Sequence, residues 1–467
     1  MKQKEEDKMK WRKVLASELA AVMTLSLAAV GGATTAYADD LNYADITLGE
    51  DYTDLTAELK LLTNRTDMLD EDYAGVSWSE YLEEFNKMYP NITIEIEGVT
   101  DYAEDTLLRL QGGSWGDIMM IPEVDKSDLS TYFLSYGDVE SISEQVKYPN
   151  RWLYEGQVYG IPITVAGRGV VYNKKVFEEA GVTELPKTPD EFISALQAIK
   201  DNTDAIPLYT NYAAGWTMGA WDDYTAVAAT GDAKYKNQVF PHEKDPFSDP
   251  GDGTHAYNVY KILYDAVAAG LTEDDYTTTD WESSKGMLNS GQIGCMVLGS
   301  WAYPQMRDAG ENGDDVGYMP FPITVDGVQY SPADEDYCFG INADIDEDKQ
   351  AAAMVFVKWM TEKSGYSYNE GGLPIAVGDD TFPELFDDFV ANGVQFVSNE
   401  PAVEGEEDLL NTLNADSELM VSAGGNEKIQ GLVEHASNGD ESFDDIMAEW
   451  NEKWADAQEM DDVEVNE

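Results

Sequence analysis

Tyr159-Gly160-Ile161-Pro162-Ile163-Thr164-Val165-Ala166-Gly167-Arg168-Gly169-Val170-Val171-Tyr172-Asn173-Lys174-Lys175-Val176-Phe177-Glu178-Glu179-Ala180-Gly181, followed by Leu185-Pro186-Lys187-Thr188-Pro189-Asp190-Glu191-Phe192, is the stretch on which the fold turns. Ile161 to Val165 is a short β-rich run in which Pro162 suits an edge or a strand entry, since proline cannot donate to a ladder. Ala166-Gly167-Arg168-Gly169 carries two glycines that tolerate unusual backbone angles, and Val170-Val171-Tyr172 is a second β-rich run. Asn173 is a helix N-cap, Lys174 to Ala180 a short helix, and Gly181 its stop. Thr188 before Pro189-Asp190-Glu191 caps another helix, with proline and acids in its first turn. The predicted order is extended, flexible, extended, helix, turn, helix, which suits a chain leaving one compact unit for another.

Upstream, Ala57 to Asn64 reads as a strand and Trp78 to Met88 as a helix with Trp78, Tyr81, Leu82 and Phe85 on one face. Ile92 to Ile96 alternates as a strand, Asp105 to Leu110 is helical, and Ile118 to Pro122 is a buried strand. Strand, helix, strand, helix, strand predicts a parallel sheet covered by helices, with ligands meeting the loops at the carboxyl ends of the strands. Those loops are Asn64–Asp67 and Pro122–Lys126. Downstream, Gly215 to Trp221 is an aromatic-rich loop, Gly231 to Thr254 a loop or flap, Tyr257 to Ala269 a helix, and Phe443 to Ala457 an amphipathic helix.

A chain of 467 residues, 43% of them hydrophobic, is long enough for two domains with separate cores. Ninety-one acids against 29 bases give a net charge of −62, which repels nucleic acid and anionic lipid and favours neutral or cationic ligands. Surface solvation alone accounts for most of that charge. Cys295 and Cys338 do not make a disulfide scaffold; both lie in apolar runs, as two buried thiols or as one bond. His242, His255 and His435 are scattered, so no cluster has metal-ligand spacing and a histidine-based triad is not indicated. The Asp245 to Asp252 stretch matches no calcium-loop spacing in full.

At the amino terminus, the basic Lys10-Trp11-Arg12-Lys13, the apolar Leu19 to Ala29 and the small-x-small Ala36-Tyr37-Ala38 form a secretory signal over residues 1–38. The apolar run is too short to span a bilayer. Leu27-Ala28-Ala29-Val30-Gly31-Gly32 is similar to a bacterial lipoprotein signal, but Val30 stands where the lipidated cysteine belongs and has no nucleophile to carry a thioether. Export to the extracellular space or cell surface is expected, without a lipid anchor at that position. Residues 39–56 read as an acidic, mobile leader.

The run from Tyr159 to Phe192, with Gly116-Asp117-Ile118-Met119-Met120-Ile121-Pro122 and Gly299-Ser300-Trp301-Ala302, resembles the family 1 extracellular solute-binding proteins, the sugar-capturing receptors of ABC transporters. The resemblance covers roughly residues 57 to 457. It implies an α/β, two-lobed periplasmic-binding-protein-like fold, each lobe a mostly parallel sheet covered by helices, joined by a three-crossing hinge. Tyr337-Cys338-Phe339-Gly340-Ile341 and Gly371-Gly372-Leu373-Pro374-Ile375-Ala376 are similar to the second and third crossings. The expected division is 57–164 plus 340–373 for lobe 1 and 165–339 plus 374–467 for lobe 2.

The resemblance implies capture of a carbohydrate between the lobes and its delivery to permease subunits by a monomer, with no cofactor and no bond broken. A sugar needs an aromatic ring for its apolar face and charged or amide groups for its hydroxyls. Residues of those types at the expected loops are Arg65, Asp67, Glu123, Asp125, Arg168, Asn211, Tyr212, Trp216, Trp221, Trp301 and Tyr303. In the family the tryptophan of the Gly-Ser-Trp-Ala motif stacks on a sugar ring, which points to Trp301; as a strand-end residue it also reads as core. Trp216 and Trp221 read as pocket lining or as core, and Arg168 as a hinge ion pair or as a ligand contact. Asp117 reads as a turn cap. The family glutamate six residues before the Tyr of the Tyr-Asn-Lys motif is replaced here by Ala166, which leaves specificity open. A secreted glycoside hydrolase, which needs two suitably spaced carboxylates, and a stand-alone surface glycan-binding protein are the alternatives.

Overall fold

The computed structural model describes residues 41–466, apart from 71, 72, 74, 100, 101 and 422–425 and the side chains of 103 and 104. The secretory signal and Val30 lie outside the described residues. In chain order the strands of the two main sheets are β1 (Ala57–Thr63), β2 (Ile92–Gly98), β3 (Ile118–Met120), β4 (Ile161–Pro162), β5 (Val165–Asn173), β6 (Ile206–Leu208), β7 (Ile293–Gly299), β8 (Val316–Met319), β9 (Tyr330–Glu335), β10 (Cys338–Ile341) and β11 (Gln395–Val397). One lobe holds a five-stranded sheet in the order β2-β1-β3-β10-β4; the other holds a six-stranded sheet in the order β11-β9-β5-β7-β6, with β8 also on β5.

The two-lobed α/β architecture is as expected, but the sheets are mixed instead of mostly parallel. In lobe 1, β1 is parallel to β2 and β3, whereas β10 runs antiparallel to both β3 and β4. In lobe 2 the long β5 is antiparallel to β7, β8 and β9. The cause is the hinge: strands that enter a lobe from the other one arrive against the direction of that lobe's own βα units.

Lobe 1 is organised by local signals. Ser77 caps the helix Trp78–Met88 in a full capping box with Glu80, and Trp78, Tyr81 and Phe85 are its buried face; such a cap stabilises by about 1 kcal/mol. The helix Glu347–Glu362 buries every residue from Ala351 to Met360. Lys358 is among them, its ammonium donating to the carbonyl of Tyr43 at 3.0 Å and lying 4.2 Å over that ring. Tyr43 is fully buried and packs edge-on against Tyr136. The segment expected as a mobile leader is therefore docked on lobe 1 from Leu41 onward. Its acidic composition hides the apolar anchors Tyr43 and Ile46, with Tyr52 and Leu55 packed beside them.

The glycines of the opening stretch also act differently from expectation. Val165–Asn173 is one continuous strand, and neither Gly167 nor Gly169 has a positive φ. A Cβ on Gly167 would lie 2.7 Å from the ring of Phe386, and one on Gly169 would lie 2.5 Å from the carbonyl oxygen of Met319. Close packing, not backbone freedom, requires glycine there. Cys295 and Cys338 are both buried free thiols, in β7 and β10 of different sheets.

Two residues, Ile163 and Thr164, separate β4 from β5, and two, Asp336 and Tyr337, separate β9 from β10. These crossings are hydrogen-bonded to each other: Ile163 N–H donates to the Tyr337 carbonyl at 2.9 Å, and Asp336 N–H to the Thr164 carbonyl at 3.1 Å. The second passage thus lies at 336–337, a little ahead of the expected boundary at 339. The third segment touches both lobes: Leu373 N–H donates to the Val165 carbonyl of β5 at 2.8 Å, Val377 N–H to the Gln145 carbonyl of lobe 1 at 2.8 Å, and Phe386 packs against β5 in lobe 2. The carboxyl-terminal helices Asn426–Asn438 and Phe443–Met460 bury Ile429, Val433, Trp450 and Trp454 in the lobe 2 core. The loop or flap expected over 231–254 holds two short helical turns, Tyr235–Val239 and Phe240–His242, and is loop from 243 to 254. Among the described residues no helix is long and apolar enough to cross a membrane.

Candidate functional site

Three tryptophans meet in lobe 2 beside the hinge. Trp301 follows the end of β7, Trp216 starts the short helix Trp216–Gly219, and Trp281 starts the helix Trp281–Asn289 behind its N-cap Asp280. Their ring centroids are 5.5 Å apart for Trp216 and Trp301, 5.1 Å for Trp216 and Trp281, and 5.7 Å for Trp281 and Trp301. Trp216 is 40% exposed although it touches two other indoles. Such a cluster leaves broad π faces available to the apolar face of a ligand.

Charged groups adjoin the tryptophans. The Cβ position of Gly299 is 2.5 Å from the indole nitrogen of Trp301 and 2.9 Å from Arg168 Nη1, so these two side chains meet over that glycine. Arg168 Nη1 is 3.2 Å from Asp223 and its Nε is 3.8 Å from Asp334, with the guanidinium 11% exposed. Arg168 therefore forms a hinge ion cluster that borders the aromatic wall. Arg151 donates to the carbonyls of Glu335, at 2.5 Å, and Asp336, at 2.7 Å, which fixes the second crossing. Burial pushes the carboxyls of Asp223 and Asp336 up from the usual range, against the pull of Arg168 on both.

Lobe 1 presents a second network. Arg65 makes a two-bond fork with Asp67, both contacts at 2.9 Å. The same guanidinium donates to Tyr73 Oη at 2.8 Å and to the buried carboxylate of Glu370. Burial raises the Asp67 pKa, but the bonds from Arg65 and the charge of Lys285 on the other lobe outweigh it and hold the carboxyl below its ordinary value. At 35% exposure Asp67 keeps accepting capacity toward the space between the lobes.

Of the expected residues, the structure brings together Trp216, Trp301 and Arg168 in lobe 2, and Arg65 with Asp67 in lobe 1. Tyr303 lies on the other flank of the helix Ala302–Arg307, facing a cleft shared with Asp67. Trp221 is 2% exposed and packs on Phe321 in the lobe 2 core. Glu123 is turned outward and ion-paired with Arg151 at 2.6 Å. Asp125 is exposed and precedes the turn Lys126–Asp128; the neighbouring Lys126 N–H reaches lobe 2 by donating to Asp408 at 3.2 Å. Tyr212 donates to Glu434 and packs on Tyr276. Asn211 is fully buried in the left-handed region at φ 56, and neither polar end of its side chain has a hydrogen-bond partner among the described residues. Asp117 holds β1 through Lys60 N–H at 2.7 Å and pairs with Lys349, a larger role than the turn cap expected.

Trp281, Asp223, Asp334, Asp336, Tyr73 and Glu370 were not anticipated. The run Asp334-Glu335-Asp336 leading into the second crossing was the legible signal, because acids at a hinge between two cores face the intervening space. The others reach the site through tertiary contacts that local pattern does not record.

The model of the bacterial extracellular solute-binding protein family matches residues 70–367. A manno-oligosaccharide-specific solute-binding protein from Bifidobacterium animalis subsp. lactis, BlMnBP2, solved with mannotriose, is 53% identical, covering 90% of this chain and 99% of its own, with a TM-score of 0.88. BlMnBP1 of the same organism, the binding protein of an ABC transporter solved with mannobiose, is 52% identical over the same shares, also at a TM-score of 0.88. The multiple sugar-binding protein of Streptococcus mutans is 24% identical over 309 residues, 63% of this chain and 71% of that protein. With its two lobes, its laced crossings and these matches, the chain belongs to the bacterial extracellular solute-binding protein family.

Proposed function

We propose that this protein captures a short manno-oligosaccharide between its lobes and presents it to the permease subunits of an ABC importer. The observation that carries the reading is the wall of Trp216, Trp281 and Trp301 bordered by the Arg168–Asp223–Asp334 cluster and faced by Arg65 and Asp67. An indole covers the apolar face of a pyranose, while paired carboxylates and a guanidinium bond its hydroxyls with charge-assisted strength. The Bifidobacterium proteins solved with mannobiose and mannotriose support the choice of mannose chains.

Contacts from both lobes favour the closed arrangement in proportion to the difference in affinity between the closed and open states. The sugar is released unchanged, and the permease reads the closed form outside the cell. Calorimetry with mannobiose, mannotriose, maltotriose and chitotriose tests the reading, followed by chromatography of the recovered sugar. Saturable heat with the mannosides, intact sugar, and loss of binding in Trp301→Ala are expected. Cleaved product moves the assignment to a hydrolase, and preference for another saccharide overturns the choice of mannose.

A further inference from the structure

Two loops of lobe 2 deliver two of the three indoles. Residues 209–215 lead from β6 to Trp216, and residues 269–280 lead from the helix His255–Ala268 to Trp281. The two are bonded to each other along their length. Leu208 N–H donates to the Leu271 carbonyl at 3.1 Å, Ala213 N–H to Thr279 Oγ1 at 2.8 Å, and Asp280 N–H to Tyr209 Oη at 3.0 Å. The rings of Tyr212 and Tyr276 pack between these bonds, 4.6 Å apart.

One buried acid sits in this lacing. Glu273 is 9% exposed, and both of its oxygens serve Thr210: the Thr210 N–H reaches Oε2 at 2.9 Å, and the Thr210 hydroxyl donates to Oε1. With its hydrogen committed to Glu273, that hydroxyl turns a lone pair to Tyr212 N–H, at 3.2 Å. The relay from Tyr212 through Thr210 to Glu273 closes the chain around Asn211, left-handed at φ 56. A second positive φ, 72° at Gly215, follows immediately before Trp216. Burial pushes the Glu273 carboxyl up from its usual range; hydrogen bonds from Thr210 and from its own backbone oppose that, and no cation among the described residues does. A buried carboxylate without a cation costs stability, so packing does not account for it. Its two acceptor oxygens do: a glutamine amide there turns an NH2 toward one of the two Thr210 donors.

We propose that Glu273 is a positioning residue for the saccharide site: by fixing the Thr210 hydroxyl as a donor it sets the turn at Asn211, and with it the edge-on approach of Trp216 to Trp281. Those two rings are 5.1 Å apart with an interplanar angle of 81°. Glu273 acts through Thr210 and the backbone, not by meeting the sugar. The proposal rests on the carbohydrate reading given above and adds a residue which that reading does not use.

Circular dichroism of the ligand-free protein reads the indole arrangement, because closely spaced tryptophans give an exciton couplet; Trp216→Phe assigns it. Glu273→Gln and Thr210→Val are the test variants, and Thr210→Ser, which keeps the hydroxyl, is the rescue. The couplet is expected to be lost in the first two and kept in the third. Calorimetry with mannotriose is expected to show a loss of about tenfold in Glu273→Gln and Thr210→Val, the worth of one misplaced aromatic face, and of less than about twofold in Thr210→Ser. Cooperative urea unfolding of each variant establishes that it is folded, and Thr210→Val, which keeps the side-chain volume, carries the test if Glu273→Gln is not. An unchanged couplet or an unchanged affinity in the folded test variants overturns the positioning role, as does a loss in Thr210→Ser equal to that in Thr210→Val. Those outcomes leave the carbohydrate reading intact. Wild-type protein that binds no mannoside overturns that reading instead, and with it the saccharide role of Glu273, whatever the couplet shows.

Discussion

The ammonium of Lys428 donates to both carboxylate oxygens of Asp222, at 2.8 and 2.9 Å, with the two side chains 3% and 0% exposed. Tyr260 donates to the same carboxylate at 2.7 Å. The pair ties the helix Asn426–Asn438 to the turn that follows Trp216. Replacing Lys428 by methionine strands a charge in the lobe 2 core, a loss of about 3–5 kcal/mol. Urea unfolding is expected to show that loss, and the double change with Asp222→Asn is expected to lose less than Lys428→Met alone.

His242 sets a pH dependence. Its Nδ1 is 2.9 Å from the Glu464 carbonyl and its Nε2 is 3.0 Å from the Glu406 carboxylate. Both partners only accept, so the doubly protonated ring satisfies both. Burial lowers its pKa, but those bonds outweigh it and the value stands above 6.5. A histidine raised in the folded state stabilises fully below its unfolded pKa and loses that contribution as pH rises through the folded value. The gap in Tm between wild type and His242→Gln is therefore expected to be widest near about pH 5.5 and narrow by about pH 9, for a contribution of about 1 kcal/mol.

Two glycines are expected to answer an alanine substitution with opposite signs. At Gly169 the new Cβ lies 2.5 Å from the Met319 carbonyl in a neighbouring strand, which cannot swing away. A loss of about 1–3 kcal/mol is expected. Gly431, inside the helix Asn426–Asn438, has nothing within 4 Å of that position, and alanine there is expected to gain about 0.4–1 kcal/mol. Thermal unfolding of the two variants side by side checks both signs.

Trp216 separates binding from stability. At 40% exposure its removal opens little core, so Trp216→Ala is expected to unfold at nearly the wild-type midpoint. Affinity for mannotriose is expected to fall about tenfold or more through loss of a stacking face, and the ligand-induced change in tryptophan fluorescence is expected to shrink with it.

Much of the fold was legible because it is written locally. The one-sided apolar face of Trp78 to Met88, the Asn173 and Thr188 caps and the alternation of Ile92 to Ile96 each specify an element without reference to the rest. Strand direction was not legible, since β5 has the same pattern whether its neighbours run with it or against it. Gly167 and Gly169 misled for a related reason: the reason for glycine is Phe386 and Met319, more than a hundred residues away. Among the candidate site residues, Asp67 follows from its place after the first strand, and Trp301 from the Gly-Ser-Trp-Ala motif. Trp221 shares the composition of Trp216, and only the arrival of Phe321 from another element assigns it to the core.

The paired crossings carry a mechanical consequence. Ile163–Thr164 and Asp336–Tyr337, sewn together by two hydrogen bonds, form a narrow ribbon whose other edge is bonded to the third segment, Leu373 N–H donating to the Val165 carbonyl at 2.8 Å. A ribbon flexes across its face and resists being sheared along its plane, because in-plane displacement must stretch the stitches between the plies. Bending across the ribbon is thereby the soft coordinate between the lobes that carry the indoles and the Arg65–Asp67 fork, and shear along it the stiff one.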